Sequence, residues 1–439
     1  MLPLLLSPTL LSTWTLAIGS CHHQEIAAPA LLSAAESKPD AFAFLGDNLY
    51  NDIDAGGMPC EPIDCRNRGN KLLPKLYGRL LGKLFGILSK AFPAWAEQKA
   101  ASVVRAHNAR SGPRDMEALA MAYATLSRKP ELAKLRAAVP KNIIATWDDH
   151  DYCRNDAGSS CKWANESQRQ FLQFWRSGDG AGGGGGGGGD AVAARGGRLG
   201  VYEAYTYNVP PRERCRSPPC RRGSVVRVLM LDTRTWRSDH RLRPLPGENA
   251  TSDDCTRSGG SGYCQQQRSS SSDGGDVTIL GDEQWRWLEG ELKKPADVRI
   301  IATSISFGAQ FNPNGDETWA VFPFEKRKML RLITSTNASG VVFVSGDLHY
   351  AEINEINASE GAPYTLHDLC SSGLTMTWPS TAPNMHRVAG PVREANWGSV
   401  TIDFEADDPT IDLSVHDGKT GVSKVGLSLK LSSLRAEAA

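Results

Sequence analysis

The chain has 439 residues, 40% of them apolar and 22% charged, and its 49 basic and 49 acidic side chains leave a formal net charge of zero. That length and apolar share support one large α/β domain or two smaller ones with a sizeable core. Zero net charge argues against a protein built to coat nucleic acid or an acidic membrane, although local patches stay open.

Residues 1–11 are mostly apolar, like a signal segment, but no positive stretch precedes them. Leu16 to Cys21 hints at a lipoprotein cleavage site. The preferred reading makes Thr13–Ser20 a first core strand with Cys21 at its end. No room then remains for a complete cleavable signal, so the natural N-terminus is expected to be truncated or misassigned. Ala27, Ala28, Leu31, Leu32 and Ala35 suit a helix leading to a strand at Ala41–Leu45, which ends in Gly46-Asp47-Asn48-Leu49-Tyr50.

Residues 51–112 read as an insertion. Within it Leu73, Leu76, Tyr77, Leu80, Leu84, Ile87 and Leu88 recur at helical spacing, with Lys75, Arg79, Lys83 and Lys90 between them. Such a basic amphipathic helix either packs on the core or makes peripheral membrane contact through residues 72–92.

A helix-rich segment, Met116 to Ala138, precedes the apolar pair Ile143-Ile144 and the run Ala145-Thr146-Trp147-Asp148-Asp149-His150-Asp151, with Asn155 and Asp156 close behind. Packed carboxylates repel, and burying them is costly unless a cation neutralises them. Oxygen ligands with an imidazole suit divalent or trivalent metals. Taken alone, the cluster also fits a solvated acidic loop.

A helix carrying Phe171, Phe174 and Trp175 follows, then a flexible glycine run, Gly182 to Gly189. Val225 to Leu231 is a nearly continuous apolar strand, as inside a covered sheet, and ends in Asp232-Thr233-Arg234-Thr235-Trp236-Arg237. Residues 238–278 read as an irregular loop. Asp282 is expected to cap a helix with Trp285, Leu288 and Leu292 on one face. Arg299–Ser306 is a strand, a helix includes Lys328–Ile333, and the strand Val341–Ser345 ends in Gly346-Asp347-Leu348-His349. Beyond it Ile402 with Phe404, and Ile411, Leu413 and Val415, alternate as antiparallel strands do. No internal repeat is evident. The alternation of strands and helices predicts a layered α/β fold: a single domain over residues 1–439 with insertions near 51–112, 178–198 and 238–278.

Eight of ten cysteines form close pairs in loop-like sequence: Cys60 with Cys65, Cys153 with Cys161, Cys215 with Cys220, and Cys255 with Cys264. Local disulfides fit, and imply an oxidising compartment. Zinc is the rival, but the spacings are wide and no paired histidines follow. Sequons at Asn165, Asn249, Asn337 and Asn357 agree with a glycoprotein that is secreted or lies in the endomembrane lumen.

Four strands thus end in potential ligands: Cys21; Asp47 with Tyr50; Asp148 to Asp151; and Asp347 with His349. A fifth ends in Asp232 and Arg234. Ligand sites in open α/β sheets lie beyond the carboxyl ends of the strands. The combination suggests a multi-metal hydrolytic centre, with Arg234 gripping a phosphoryl oxygen.

In this order, Ile18-Gly-Ser-Cys21, Phe44 to Tyr50, Thr146 to Asp151 with Asn155-Asp156, Leu231 to Arg237, Leu280 to Leu288 and Val344 to Ile353 resemble the alkaline phosphatase D (PhoD-like) group of the metallophosphoesterase superfamily. The resemblance implies a four-layer α-β-β-α sandwich with mixed sheets. It implies hydrolysis of phosphomonoesters or phosphodiesters, with a small phosphate-ester substrate and a protein that is expected to be a monomer. The family's metals are iron(III) with calcium, and other divalent ions are open. Cys21 and Tyr50 match the iron ligands and Asp47 a bridging ligand. Asp149, His150, Asn155, Asp347 and His349 match the remaining metal or phosphate ligands, His150 and Asn155 being placed with Arg234 in the catalytic set. Many relatives carry an immunoglobulin-like N-terminal domain, and none is expected within these residues. Two alternatives stand beside this reading: a phospholipase D-like phosphodiesterase, and a non-catalytic, membrane-associated glycoprotein on the same scaffold. Residue by residue, Cys21 also fits a structural thiol or a disulfide with Cys370, and Tyr50 a core tyrosine. Asp148 and Asp151 fit helix caps or groups that orient ligands. Asp232 fits a residue that orients Arg234, and His22 and His23 are read as surface or rim residues.

Overall fold

A computed structural model describes residues 13–52, 116–176, 198–211, 223–238, 277–310 and 317–436. The apolar N-terminal stretch, the basic helix at 72–92, the glycine run, Asn249 and the cysteine pairs 60/65, 215/220 and 255/264 lie outside the described residues.

The described residues form two mixed sheets and seven α-helices. In the first sheet β1 (Thr13–Gly19), β2 (Ala41–Leu45) and β3 (Ile143–Thr146) run parallel. They are extended by the antiparallel strands β11 (Asn396–Asp403), β12 (Thr410–Asp417) and β13 (Ser423–Lys430), giving the order β13-β12-β11-β1-β2-β3. The alternation read near the C-terminus is real: Ile402 faces Ile411 and Val400 faces Leu413 across β11 and β12.

The second sheet has the order β10-β8-β9-β7-β6-β5-β4. Its parallel centre is β5 (Ser224–Met230), β6 (Val298–Ile305), β7 (Val341–Gly346) and β9 (Leu366–Ser371). Antiparallel β4 (Glu203–Val209) closes one side; β8 (Ala351–Ile356) and β10 (Arg387–Val392) close the other. All eight residues of β6 are buried, which is why its sequence does not alternate.

Side-chain alternation decides what each face of the first sheet meets. Leu16, Ile18, Ala41, Ala43 and Leu45 join one large core with Val228, Ile300 and Val342 of the second sheet. Ala17, Phe42, Phe44 and Ile143 point the other way, into a core shared with helices α1 (Pro29–Glu36), α2 (Met116–Ser127), α3 (Pro130–Ala138) and α5 (Ala164–Arg176). Helices α6 (Gly281–Leu292) and α7 (Pro323–Ser335) bury Trp285, Leu288, Met329 and Ile333 in the large core. Between α3 and α5 lies one short turn of helix, α4 (Asp149–Tyr152).

The helix-rich segment Met116–Ala138 is two helices, because Pro130 lacks an N–H and is tolerated only where a helix begins. Two local readings are corrected. Asp282 is not a cap: α6 starts at Gly281, Leu280 is its N-cap, and the Thr278 hydroxyl accepts the Gly281 N–H at 2.9 Å. Asp282 instead lies in the first turn, where its charge still favours the helix dipole. Finally, Cys21 and Cys370 are free buried thiols, so they are not bonded to each other.

Polar side chains stitch the two sheets together at the carboxyl ends of their parallel strands. Thr146 Oγ1, at the end of β3, donates to the Leu231 carbonyl just past β5 at 2.6 Å. Ser304 Oγ, near the end of β6, donates to Asp148 Oδ1 at 2.7 Å and also bonds Thr233. Residues far apart in sequence therefore meet at this edge.

Candidate metal centre

The loops after β1, β2, β3, β5 and β7 converge at this edge. Their backbones are forced: Cys21, Asp47, Asp156, Asp347 and His349 all take positive φ, between 49° and 72°. Left-handed backbone at non-glycine residues costs energy and persists where surroundings over-determine it, commonly at functional sites. Gly46 precedes Asp47 at φ 95°, and a Cβ there would lie 2.6 Å from the Asp148 Cβ. Only glycine lets the β2 and β3 turns approach so closely.

Among the described residues, three groups hold donor atoms within 4.8 Å of one another: Cys21, Asp47 and His349; Asp47, Asp149 and His150; Asp149, Asp156 and Glu317. Asp47 belongs to the first two and Asp149 to the last two, so the groups form a chain linked by shared carboxylates. Tyr50 joins the first group, its hydroxyl donating to Asp47 Oδ2 at 2.8 Å and lying 3.3 Å from His349 Nε2. Asp347 falls in none of the three groups. It is buried at the same edge, where Glu317, Asp148 and Asp149 act on it. Asn155 is half-buried, and its N–H donates to Asp52 Oδ2 at 3.0 Å.

Burial dominates the electrostatics. It pushes the Cys21 thiol up to about 12, and drives Asp47, Tyr50 and Asp347 well above their ordinary ranges. Burial, then the neighbouring His150, presses His349 down to about 3. His150 is the exception. Burial opposes its charge, but Asp52, Asp149 and Asp47 together hold it well above the usual range. A bound cation is the natural remedy for carboxylates and a thiol so strongly biased toward their neutral forms. The donor set fits one. Thiol, phenol and imidazole around a carboxylate suit a transition metal, and the two carboxylates and imidazole of the second group suit a harder divalent cation.

Several residues that the sequence did not mark support these donors. Asp52 lies 2.5 Å from His150 Nδ1 and so orients the ring. Ser372 Oγ sits 3.0 Å from Cys21 Sγ and accepts the His349 N–H at 2.8 Å. Glu317 takes both terminal nitrogens of Arg234, at 2.8 and 3.1 Å, and also pairs with Arg237 at 2.7 Å. Arg234 is fully buried, and its Nε donates to Asp148. Its fork, expected to face substrate, is thus turned onto protein carboxylates.

Asp148 and Asp151 form a reciprocal capping box on α4. Asp151 Oδ2 also accepts the Asn48 N–H at 3.2 Å and its side-chain amide at 2.5 Å, tying the β2 loop to the β3 loop. Asp232 accepts the N–H groups of Arg234 and Thr235 at 2.9 and 3.0 Å. Gln284, within the Leu280–Leu288 motif, grips the Asp232 backbone through its N–H and its carbonyl, at 2.8 and 2.7 Å. The histidines after Cys21 are not on the surface. His22 is fully buried with Nδ1 3.2 Å from the Asn48 carbonyl, and His23 is buried and stacks on Tyr50. Both follow the chain as it turns in under the β2 loop.

A profile of the PhoD-like phosphatase family matches residues 93–404, and the chain belongs to that family. Over 213 residues it is 22% identical to alkaline phosphatase D of Bacillus subtilis (strain 168), a match covering 47% of this chain and 30% of that protein. The match therefore spans about a third of that relative's length. A solved structure, described as that of PhoD, superposes over 97% of this chain and 72% of its own with a TM-score of 0.56 at 15% identity, a likeness of fold.

Proposed function

We propose that the chain is a metal-dependent phosphate-ester hydrolase, built as a four-layer α-β-β-α sandwich with a multi-metal centre at its sheet edge. The observation that carries this is the sharing of Asp47 between two adjacent donor groups. A carboxylate common to two sites is what a bridged pair of ions requires. Cys21, Tyr50, Asp47 and His349 would hold one ion and Asp47, Asp149 and His150 the other. Iron(III) with calcium is the pairing the family resemblance suggests. The third group is the poorest cation site, because both oxygens of Glu317 already face guanidinium groups. When bound, the ions would activate water and neutralise charge on a phosphoryl oxygen.

The chain's own residues supply position. Ser372 fixes the Cys21 sulfur, Asp52 the His150 ring and the Asn155 backbone, and Arg234 the carboxylates of Asp148 and Glu317. This departs from the sequence-based role of Arg234 as the phosphate grip. Asn155 and His349 are half-buried rather than buried, which supports them as groups that would meet a phosphate.

An oxidising compartment, secreted or lumenal, is supported by the Cys153–Cys161 disulfide and by the exposure of the sequon asparagines Asn165, Asn337 and Asn357. Turnover of aryl phosphate mono- and diesters by native, metal-stripped and reconstituted protein tests the proposal. The native protein should hydrolyse at least one class, stripping should abolish turnover, and added metal should restore it. Undiminished turnover after stripping would refute it.

A further inference from the structure

The segment from Ser372 to Trp378 is bound to both halves of the first donor group. The Leu374 N–H donates to the Ser20 carbonyl at 3.0 Å, and the N–H groups of Thr375 and Met376 to the Cys21 carbonyl at 3.2 and 3.1 Å. The Thr375 hydroxyl accepts the His23 N–H at 2.6 Å. Two residues on, the Trp378 N–H donates to the carbonyl of His349 at 2.9 Å. A segment tied this closely to Cys21 and His349 holds whatever it carries in fixed relation to them.

What it carries is an exposed indole. Trp378 is 37% exposed and its ring centroid lies 5.7 Å from that of His349, tilted by 43°. Trp163 and Trp378 are the exposed tryptophans among the described residues. His349 is the half-buried member of its donor group, whereas Cys21 and Asp47 are buried. His349 is thus the member of this group nearest to solvent, and the indole stands beside it. A large apolar ring left in water has a burial gain to offer a ligand, and a rigid tryptophan offers it at small entropic cost.

We propose that Trp378 is a specificity-determining residue that packs against the organic part of a phosphate ester whose phosphoryl group lies at the metal centre, and so favours esters of aromatic or otherwise flat apolar alcohols. This rests on the hydrolase reading for the position of the phosphoryl group. The apolar contact itself can be measured without turnover.

Calorimetric binding of phenylphosphonate and methylphosphonate to metal-loaded wild type, Trp378→Ala and Trp378→Phe separates the two claims, with hydrolysis of aryl and glycerol phosphates followed in parallel. Wild type should prefer phenylphosphonate. In Trp378→Ala the phenyl-to-methyl affinity ratio should fall about five- to tenfold, the size of one aromatic contact, and Trp378→Phe should keep most of it. Metal content should be equal in all three. An unchanged ratio in Trp378→Ala, equal loss for both ligands, or no phosphonate binding by wild type would overturn the proposal. A Trp378-dependent ratio in a protein that hydrolyses neither ester would uphold it while refuting the hydrolase reading.

Discussion

Arg234 is the residue whose role depends most on geometry. Its guanidinium is wholly buried and is shared among Asp148, Glu317 and the neighbourhood of Asp149. Removing one partner of a buried charge cluster strands the others without solvent. Arg234→Ala should therefore cost about 3–5 kcal/mol of stability, read by denaturant unfolding. A variant of native stability that lost only turnover would return Arg234 to direct contact with phosphate. In the sequence this arginine stood beside Asp232 at the end of an apolar strand, and that much was legible. Its partner Glu317 was not. It lies far along the chain beside Asp316, at the end of no apolar strand, and only folding brings it to the guanidinium. Asp52 escaped because residues 51–112 read as an insertion, and Ser372 because a lone serine carries no signal in sequence. The burial of His22 and His23 escaped because two adjacent imidazoles in polar sequence look like surface.

At the scale of elements, the parallel strands other than β9 were readable because each is largely an apolar run ending abruptly in polar residues, whereas β9, with His367 and Asp368 inside it, was not read. Boundaries came within a residue or so: β1 ends at Gly19 and β7 at Gly346. Strands β4, β8 and β10 were not read. The edge strands β4 and β10 have mixed burial, and β8 is buried but carries Glu352, Asn354 and Glu355 among its apolar residues, so a continuous apolar run marks none of them. The turn after β2 makes the strictest demand on sequence. Gly46→Ala would place a Cβ 2.6 Å from the Asp148 Cβ and 2.9 Å from that of Ser304 while forcing alanine to φ 95°. The backbone strain alone is worth about 1–3 kcal/mol, and relief would push the β2 and β3 loops apart. The variant should melt at a lower temperature and retain less metal than wild type. Native metal content would mean that the approach of the two loops does not assemble the site.

For the whole molecule, the buried polar edge links folding to protons and, on the proposed reading, to metal. Burial holds Asp148 at about 6 and Asp151 at about 8. Between an unfolded carboxylate value of about 4 and these values, the folded chain keeps protons that the unfolded chain releases. Their contribution to stability is complete below about pH 4 and is lost as pH rises through about 6 and then about 8. Metal-stripped protein should therefore weaken progressively toward alkaline pH. Bound ions should reverse that trend by favouring the ionised carboxylates. Thermal melts of stripped and loaded protein should diverge as pH rises. Parallel curves would mean that the buried carboxylates are not linked to metal binding.

On the proposed reading Asp47 joins two metal sites, and elemental analysis of purified wild type against Asp47→Asn tests this. Wild type should carry more than one ion per chain, and an Asp47→Asn variant that remains folded should lose ions from both of the sites that share Asp47. A folded Asp47→Asn protein with the wild-type metal content, or a wild type that binds no metal, would contradict it.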